Sequence, residues 1–85
     1  MTITAATAVV IDPKTPTRIF VANPDGVFRS DDAAETWAPI HSGLPEGPVV
    51  ALAQHPLALD RLFAATDDGR LFRSDDAGAS WRARR

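Results

Sequence analysis

Three pairs of adjacent aspartates stand out among the residues of this sequence that can do chemistry: Asp31 with Asp32, Asp67 with Asp68, and Asp75 with Asp76. Neighbouring carboxylates can divide acid and base roles or ligate a hard cation. They can equally accept the backbone N–H groups that a tight turn leaves without partners. Context separates these uses. Two of the pairs lie in near-copies of one stretch, RSDDAAETW at 29–37 and RSDDAGASW at 73–81. In each copy a serine (Ser30 or Ser74) stands two residues before the second aspartate, and a hydroxyl (Thr36 or Ser80) four residues after it. Hydroxyls flanking a carboxylate at those offsets suit a loop that satisfies its own donors, so both pairs read as turn-forming rather than catalytic. Asp67 and Asp68, in TDDG, fall outside the pattern.

The duplication extends well beyond the loop. RIFVANPDGVFRSDDAAETW (18–37) aligns with RLFAATDDGRLFRSDDAGASW (61–81) with one gap, and Ser30 and Ser74 are 44 residues apart. Each copy holds four short apolar segments, at 7–11, 18–22, 26–30 and 36–40, then at 49–54, 61–66, 70–74 and 80–83. They are rich in Val, Ile, Phe and Trp, lack a 3.6-residue period, and are divided by turn chemistry such as DPKTPT, NPDG, SGLPEG and DDG. All eight read as strands. A four-stranded unit repeating every forty-odd residues predicts β-propeller blades: an all-β chain of two four-stranded antiparallel units, divided at 1–44 and 45–85.

The loop then has a physical task. A tight hairpin joins the third and fourth strands, Asp32 and Asp76 accept its unpaired N–H groups, and Ser30, Thr36, Ser74 and Ser80 close its mouth. Gly78 permits a positive φ where the first copy has Ala34, which predicts strain of about 1 kcal/mol in the first loop. Trp37 and Trp81 supply apolar area for packing between units.

The pattern Ser74, Asp76, Gly78, Ser80, Trp81 resembles in full the Asp-box of the BNR repeat. Ser30, Asp32, Thr36 and Trp37 resemble it with alanine in place of the glycine. The likeness spans about residues 9–83 and implies the propellers of sialidase-like, xyloglucanase-like and sortilin-like proteins and of a photosystem II assembly factor. It implies a fold more than a function, because the same box serves enzymes, receptors and assembly factors.

In an up-and-down blade both boxes lie at one end, with His55, and NPDG, TDDG and HSGLPEG lie at the other. The resemblance implies ligand binding at the end away from the boxes. That makes Asn23, Asp25, His41, Glu46, Asp67 and Asp68 the candidate ligand-face residues. No residue is assigned a catalytic role. A sialidase of this family requires a tyrosine nucleophile, and the chain has no tyrosine. A glycosidase of the xyloglucanase type places its carboxylates across a cleft that several blades define.

The remaining expectations come from composition. Nine Lys and Arg balance eleven Asp and Glu, so no overall field points to nucleic acid or an anionic membrane, and Arg82, Arg84 and Arg85 read as a solvated edge. Absence of cysteine removes disulfides and thiolate metal sites; no metal site or cofactor is expected. No stretch has the length of a membrane span or the form of a signal peptide, which favours the cytoplasm if Met1 is the true start. Two blades cannot close a ring. The reading is therefore a non-catalytic binding or scaffold module with further blades as partners, in a longer chain or, second, in further copies. The alternative is a portion of a glycoside hydrolase. A protein or glycan is the expected ligand.

Overall fold

A computed structural model of the chain describes residues 3 and 5–84. Eight strands follow in sequence: β1 (Ala8–Ile11), β2 (Ile19–Asn23), β3 (Gly26–Ser30), β4 (Ala38–Pro39), β5 (Val49–Gln54), β6 (Leu62–Thr66), β7 (Leu71–Ser74) and β8 (Arg82–Arg84). They form two antiparallel sheets with strand orders β1-β2-β3-β4 and β5-β6-β7-β8. These are the two up-and-down blades that the repeat predicts. Each loop between neighbouring strands is short, so sequential strands pair, and β-branched and aromatic side chains fill the pleated faces.

Register divides each blade into two faces. Pairing sets Val10 against Phe20, Ala22 against Val27 and Phe20 against Arg29, so these side chains share one face of the first blade. In the second blade Leu52 pairs with Ala64, and Ala64 with Phe72. The core is the layer where these two faces meet. Phe20, Ala22 and Val27 from one side are buried against Leu62, Ala64, Phe72 and Trp81 from the other, with Val10 and Leu52 partly buried around them. Polar contacts fasten its rim. Trp81 Nε1 donates to Ile40 O at 2.8 Å, Trp81 N donates to Ser42 O at 2.8 Å, and Arg29 Nη1 donates to Ala77 O at 3.1 Å.

The opposite face of each blade is covered only in part: Val21 and Phe28 are buried within it on the first blade, and Phe63 and Ala65 are partly buried on the second. Val9 and Ile11 are more than half exposed on the first blade, while Ala51, Ala53 and Leu71 are exposed on the second. Strand β5, although apolar on both faces, is therefore covered mainly on one, with Val50, Ala51 and Ala53 exposed. Trp37 is half-buried where its counterpart Trp81 is 4% exposed, because only Trp81 has a sheet before it to pack on. The outer strand expected at 36–40 shrinks to two residues, since Thr36 turns back to bond Asp32.

The two loops have matching hydrogen bonds: Asp32 and Asp76 accept the backbone N–H of Thr36 and Ser80 as the sequence suggests, and the serine hydroxyl is a further acceptor that it did not suggest. Ser74 Oγ accepts from the buried Gly78 N at 2.9 Å and donates to Asp76 Oδ1 at 2.7 Å. Asp76 itself is exposed, accepting from Ser80 N at 2.9 Å and Ser80 Oγ at 2.6 Å. Ser30 likewise serves Ala34 N at 2.9 Å and Asp32 at 2.7 Å. Ser30 and Ser74 are fully buried. The serine is the internal acceptor and the carboxylate the outer clasp, so Ser74→Ala is expected to lower the denaturant midpoint more than Asp76→Ala.

Ala34 has φ of +74° and Gly78 of +90°, so both copies need the left-handed conformation that penalises a β-carbon. Gly78 carries a second constraint, because a β-carbon there would overlap Ile40 Cδ1 in the junction. Ala34→Gly should therefore stabilise the chain by a few tenths to about 1 kcal/mol, offset by the unfolded-state entropy of glycine. Gly78→Ala should cost more than about 1 kcal/mol. Denaturant midpoints of the two variants check the pair; a destabilising Ala34→Gly contradicts the strain.

Hydroxyl and backbone donors hold Asp32 at about 2, with Thr36 the largest contributor, and Asp76 at about 2, with Ser80 the largest, each from an ordinary 3.8. Both are lower folded than unfolded, so their stabilisation is complete above the unfolded value and is lost as pH falls towards 2. Asp68, chiefly through Thr66, and Asp75, chiefly through Arg73, shift the same way. Thermal midpoints should fall from pH 4 to pH 2, with a shallower slope in the Asp32→Asn, Asp76→Asn double variant. An unchanged slope would show that the clasps add nothing.

Candidate functional site

The chain end away from the serine–aspartate loops is built from the β2–β3 turn and from the connector between the blades. Asn23, buried at the end of β2, accepts from Asp25 N at 2.8 Å through Oδ1 and so closes the turn locally. Gly26 follows with φ of +129°, directly under the His41 ring. His41 stands edge-on to Phe28, with ring centroids 5.3 Å apart and planes at 86°. Its carbonyl accepts from Leu44 N at 2.8 Å, folding the connector over the same end.

Pro24, Asp25, His41, Leu44, Pro45, Glu46 and Gly47 line the resulting cleft, which has a volume of about 420 Å³. Asp25 and Glu46 are exposed, and neither has an ion pair among the described residues. The cleft is thus an open, anionic hollow with proline and leucine in its walls. His41 Nε2, the nitrogen a general base would present, is buried beside Gly26 and has no hydrogen-bond partner among the described residues. The His41 ring is a wall of the cleft, wedged by packing.

Of the six residues singled out from sequence, the fold brings Asp25, His41 and Glu46 together here. Asn23 lies beneath them as the acceptor of the turn. Asp67 and Asp68 belong to the β6–β7 turn and do not line the cleft. The Thr66 hydroxyl donates to one oxygen of Asp68 and Arg70 Nε to the other at 2.9 Å, so this carboxylate is engaged in its own turn. Asp67 N reaches Pro48 O at 3.3 Å and ties that turn to the connector. Pro24, Leu44, Pro45 and Gly47 were not singled out, although the proline-rich connector SGLPEGP was the available signal. His55 lies at the other end, where its Nδ1 accepts from Leu57 N and Ala58 N at 3.0 and 3.1 Å, as Asp12 Oδ1 does in the first blade. Among the described residues, no three His, Asp or Glu side chains gather to hold a metal ion. Arg82 and Arg84 are exposed; Arg85 lies outside the described residues.

No protein-family model matches the chain. Among curated proteins it is similar to vacuolar protein sorting/targeting protein 10 of several fungi. Identity is 38% over 56 residues with that of Sordaria macrospora and 33% over 57 residues with those of Laccaria bicolor and Emericella nidulans. These matches take in 66 to 67% of this chain and 4% of each relative, so the chain spans a small part of their length. Among solved structures, an ancestral GH74 enzyme superposes with a TM-score of 0.77 and 22% identity, over 92% of this chain and 12% of that one. The likeness is one of fold: the chain is two antiparallel blades, part of a propeller.

The turn under His41 offers a test of how the cleft is held. Gly26 and its counterpart Gly69 both have positive φ, but a β-carbon at Gly26 would lie 2.8 Å from His41 Nε2, whereas at Gly69 it would meet nothing within 4 Å. Gly69→Ala should therefore cost about 1 kcal/mol from the backbone alone. Gly26→Ala should cost more and shift the imidazole resonances of His41. Equal losses in denaturant midpoint would show that the ring is free to move away.

Proposed function

We propose that the chain is a non-catalytic binding module, two BNR-type blades divided near residue 44, that presents the anionic cleft to a protein or glycan ligand. The observation that carries this reading is the convergence of Asp25, His41 and Glu46, from one turn and the connector, around a single hollow. Unpaired carboxylates favour a ligand that carries a cationic group, and the apolar walls favour an extended segment that can shed water against proline and leucine. Likeness to proteins named for sorting and targeting supports binding as the task. Further blades, in a longer chain or in other copies, complete the propeller, and the serine–aspartate loops act as folding devices at its opposite end.

Fold likeness to a GH74 enzyme supports the second reading, a portion of a glycoside hydrolase that contributes blade structure and one wall of a substrate cleft. Titration of the ¹⁵N-labelled chain with a lysine octapeptide and, separately, with a xyloglucan oligosaccharide distinguishes the two. The binding reading expects the peptide to move the amide signals of Asp25, His41 and Glu46, and the Asp25→Asn, Glu46→Gln double variant to lose the effect. Movement of the same signals by the oligosaccharide alone favours the second reading, and no movement with either probe rejects the cleft as a binding site. The chain alone is expected to hydrolyse neither an aryl sialoside nor a β-glucan, since it contains no tyrosine and only one wall of a cleft. Turnover that an Asp25 or Glu46 substitution abolishes overturns that expectation.

A further inference from the structure

The junction between the two blades is also a template for the two faces left open. Because the halves are copies, residues on the outer faces have counterparts on the two faces that form the junction. Val9, Ile11, Ile19, Val21, Phe28 and Trp37 on the first blade correspond to Leu52, Gln54, Leu62, Ala64, Phe72 and Trp81, the side of the second blade that the first receives. On the second blade Ala53, Phe63, Ala65, Leu71 and Arg73 correspond to Val10, Phe20, Ala22, Val27 and Arg29, the receiving side.

We propose that the chain associates with further copies of itself head to tail, the open face of the second blade in one copy receiving the open face of the first blade in the next. This goes beyond the reading of the cleft and does not depend on it.

Three observations make a second copy the occupant. The first is volume. The receiving side has Ala53 for Val10 and Leu71 for Val27, and the entering side has Val9 for Leu52, Val21 for Ala64 and Ile11 for Gln54, so losses and gains of apolar carbon nearly offset across the pair. Apolar filling is thus kept across the pair of faces, the condition under which a packed layer tolerates substitution.

The second is the arginine clasp. Within the chain, Arg29 is held by Asp31 at 2.9 Å through Nε and spans the junction to Ala77 O at 3.1 Å through Nη1. Arg73 is held in the same way by Asp75, through Nε at 2.8 Å and Nη2 at 3.1 Å, and its Nη1 has no hydrogen bond among the described residues. The matching acceptor on another copy is Ala33 O. Ala33 and Ala77 have φ of +58° and +57°, and their N–H groups each donate at 2.9 Å, to Thr17 O and Asp60 O, so both loops present that carbonyl alike.

The third is exposure. Val9 at 57%, Ile11 at 56% and Leu71 at 41% are among the large apolar side chains left in solvent; Val9 and Leu71 map onto Leu52 and Val27 of the junction layer, and Ile11 onto Gln54 on the same face as Leu52. Partner blades in place would remove them from water.

The two faces differ, so the contact is heterologous and must close into a ring or propagate. Closed propellers contain about four to eight blades, which corresponds to a ring of two to four copies. Light scattering coupled to size exclusion should give a mass that is a whole multiple, from two to four, of the 9.1 kDa chain. Val9→Glu spoils only the entering face and Leu71→Glu only the receiving face, and each variant alone should be monomeric. Mixed in equal amounts, they retain one intact pair of faces and should form a one-to-one pair and nothing larger. β-Sheet circular dichroism checks each variant for folding, and Ile11→Lys or Ala53→Glu replaces one that fails. A wild-type chain that stays monomeric at 100 µM, variants that still assemble, or a mixture that stays monomeric would each overturn the proposal.

Discussion

A four-stranded sheet has two faces and cannot bury either by itself, and this constraint governs the chain. Contact between Phe20, Ala22 and Val27 on one blade and Leu62, Ala64, Phe72 and Trp81 on the other forms the hydrophobic core. Trp81 is central to it because it closes the layer with its ring and ties the connector with both its nitrogens, to Ile40 O and Ser42 O. With an indole so placed, the connector is held across the end of the blades rather than looping into solvent. The cleft lined by Asp25, His41 and Glu46 follows from that path.

The repeated loops solve a different problem. Chain reversal between the third and fourth strands strands several backbone donors, and a short loop has few carbonyls aimed back at them. A buried serine hydroxyl accepts from the backbone N–H of Ala34 or Gly78 and donates its own hydrogen bond to the exposed aspartate. The carboxylate in turn gathers the residue four positions on. Each loop thus presents a carbonyl, at residue 33 or 77, that an arginine on an adjoining blade can reach; inside the chain Arg29 does so. A device for local satisfaction doubles as a contact between blades.

Electrostatics sorts the two ends. At the loop end of the boxes Asp31 is matched by Arg18 and Arg29 and Asp75 by Arg61 and Arg73, while Asp32 and Asp76 accept from hydroxyl and backbone donors. At the cleft end Asp68 is matched by Arg70, and Asp67 and the two cleft carboxylates, Asp25 and Glu46, have no such partner among the described residues. The unmatched carboxylates therefore project a local negative potential from a chain whose formal charge is only −2.

The strands, their order and the two ends were legible in the sequence because they rest on local and repeated signals: short apolar runs rich in Val, Ile and Phe, turn residues at fixed places, and a duplication that makes each half a check on the other. The positive φ at residue 34 was legible for the same reason, from a glycine at the matching position of the second copy. Other features depend on residues distant in sequence. The sequence could not show that Ser74 rather than Asp76 serves the buried donor, since that depends on which side of the loop faces the first blade. Nor could it show that Gly78 is needed by Ile40 as well as by its own backbone, or that Trp81 is buried while Trp37 is not. Asp25, Glu46 and Asp68 looked equivalent in sequence; tertiary structure separated them, because the cleft forms where the connector folds over the first turn, while Thr66 and Arg70 engage Asp68 within the second.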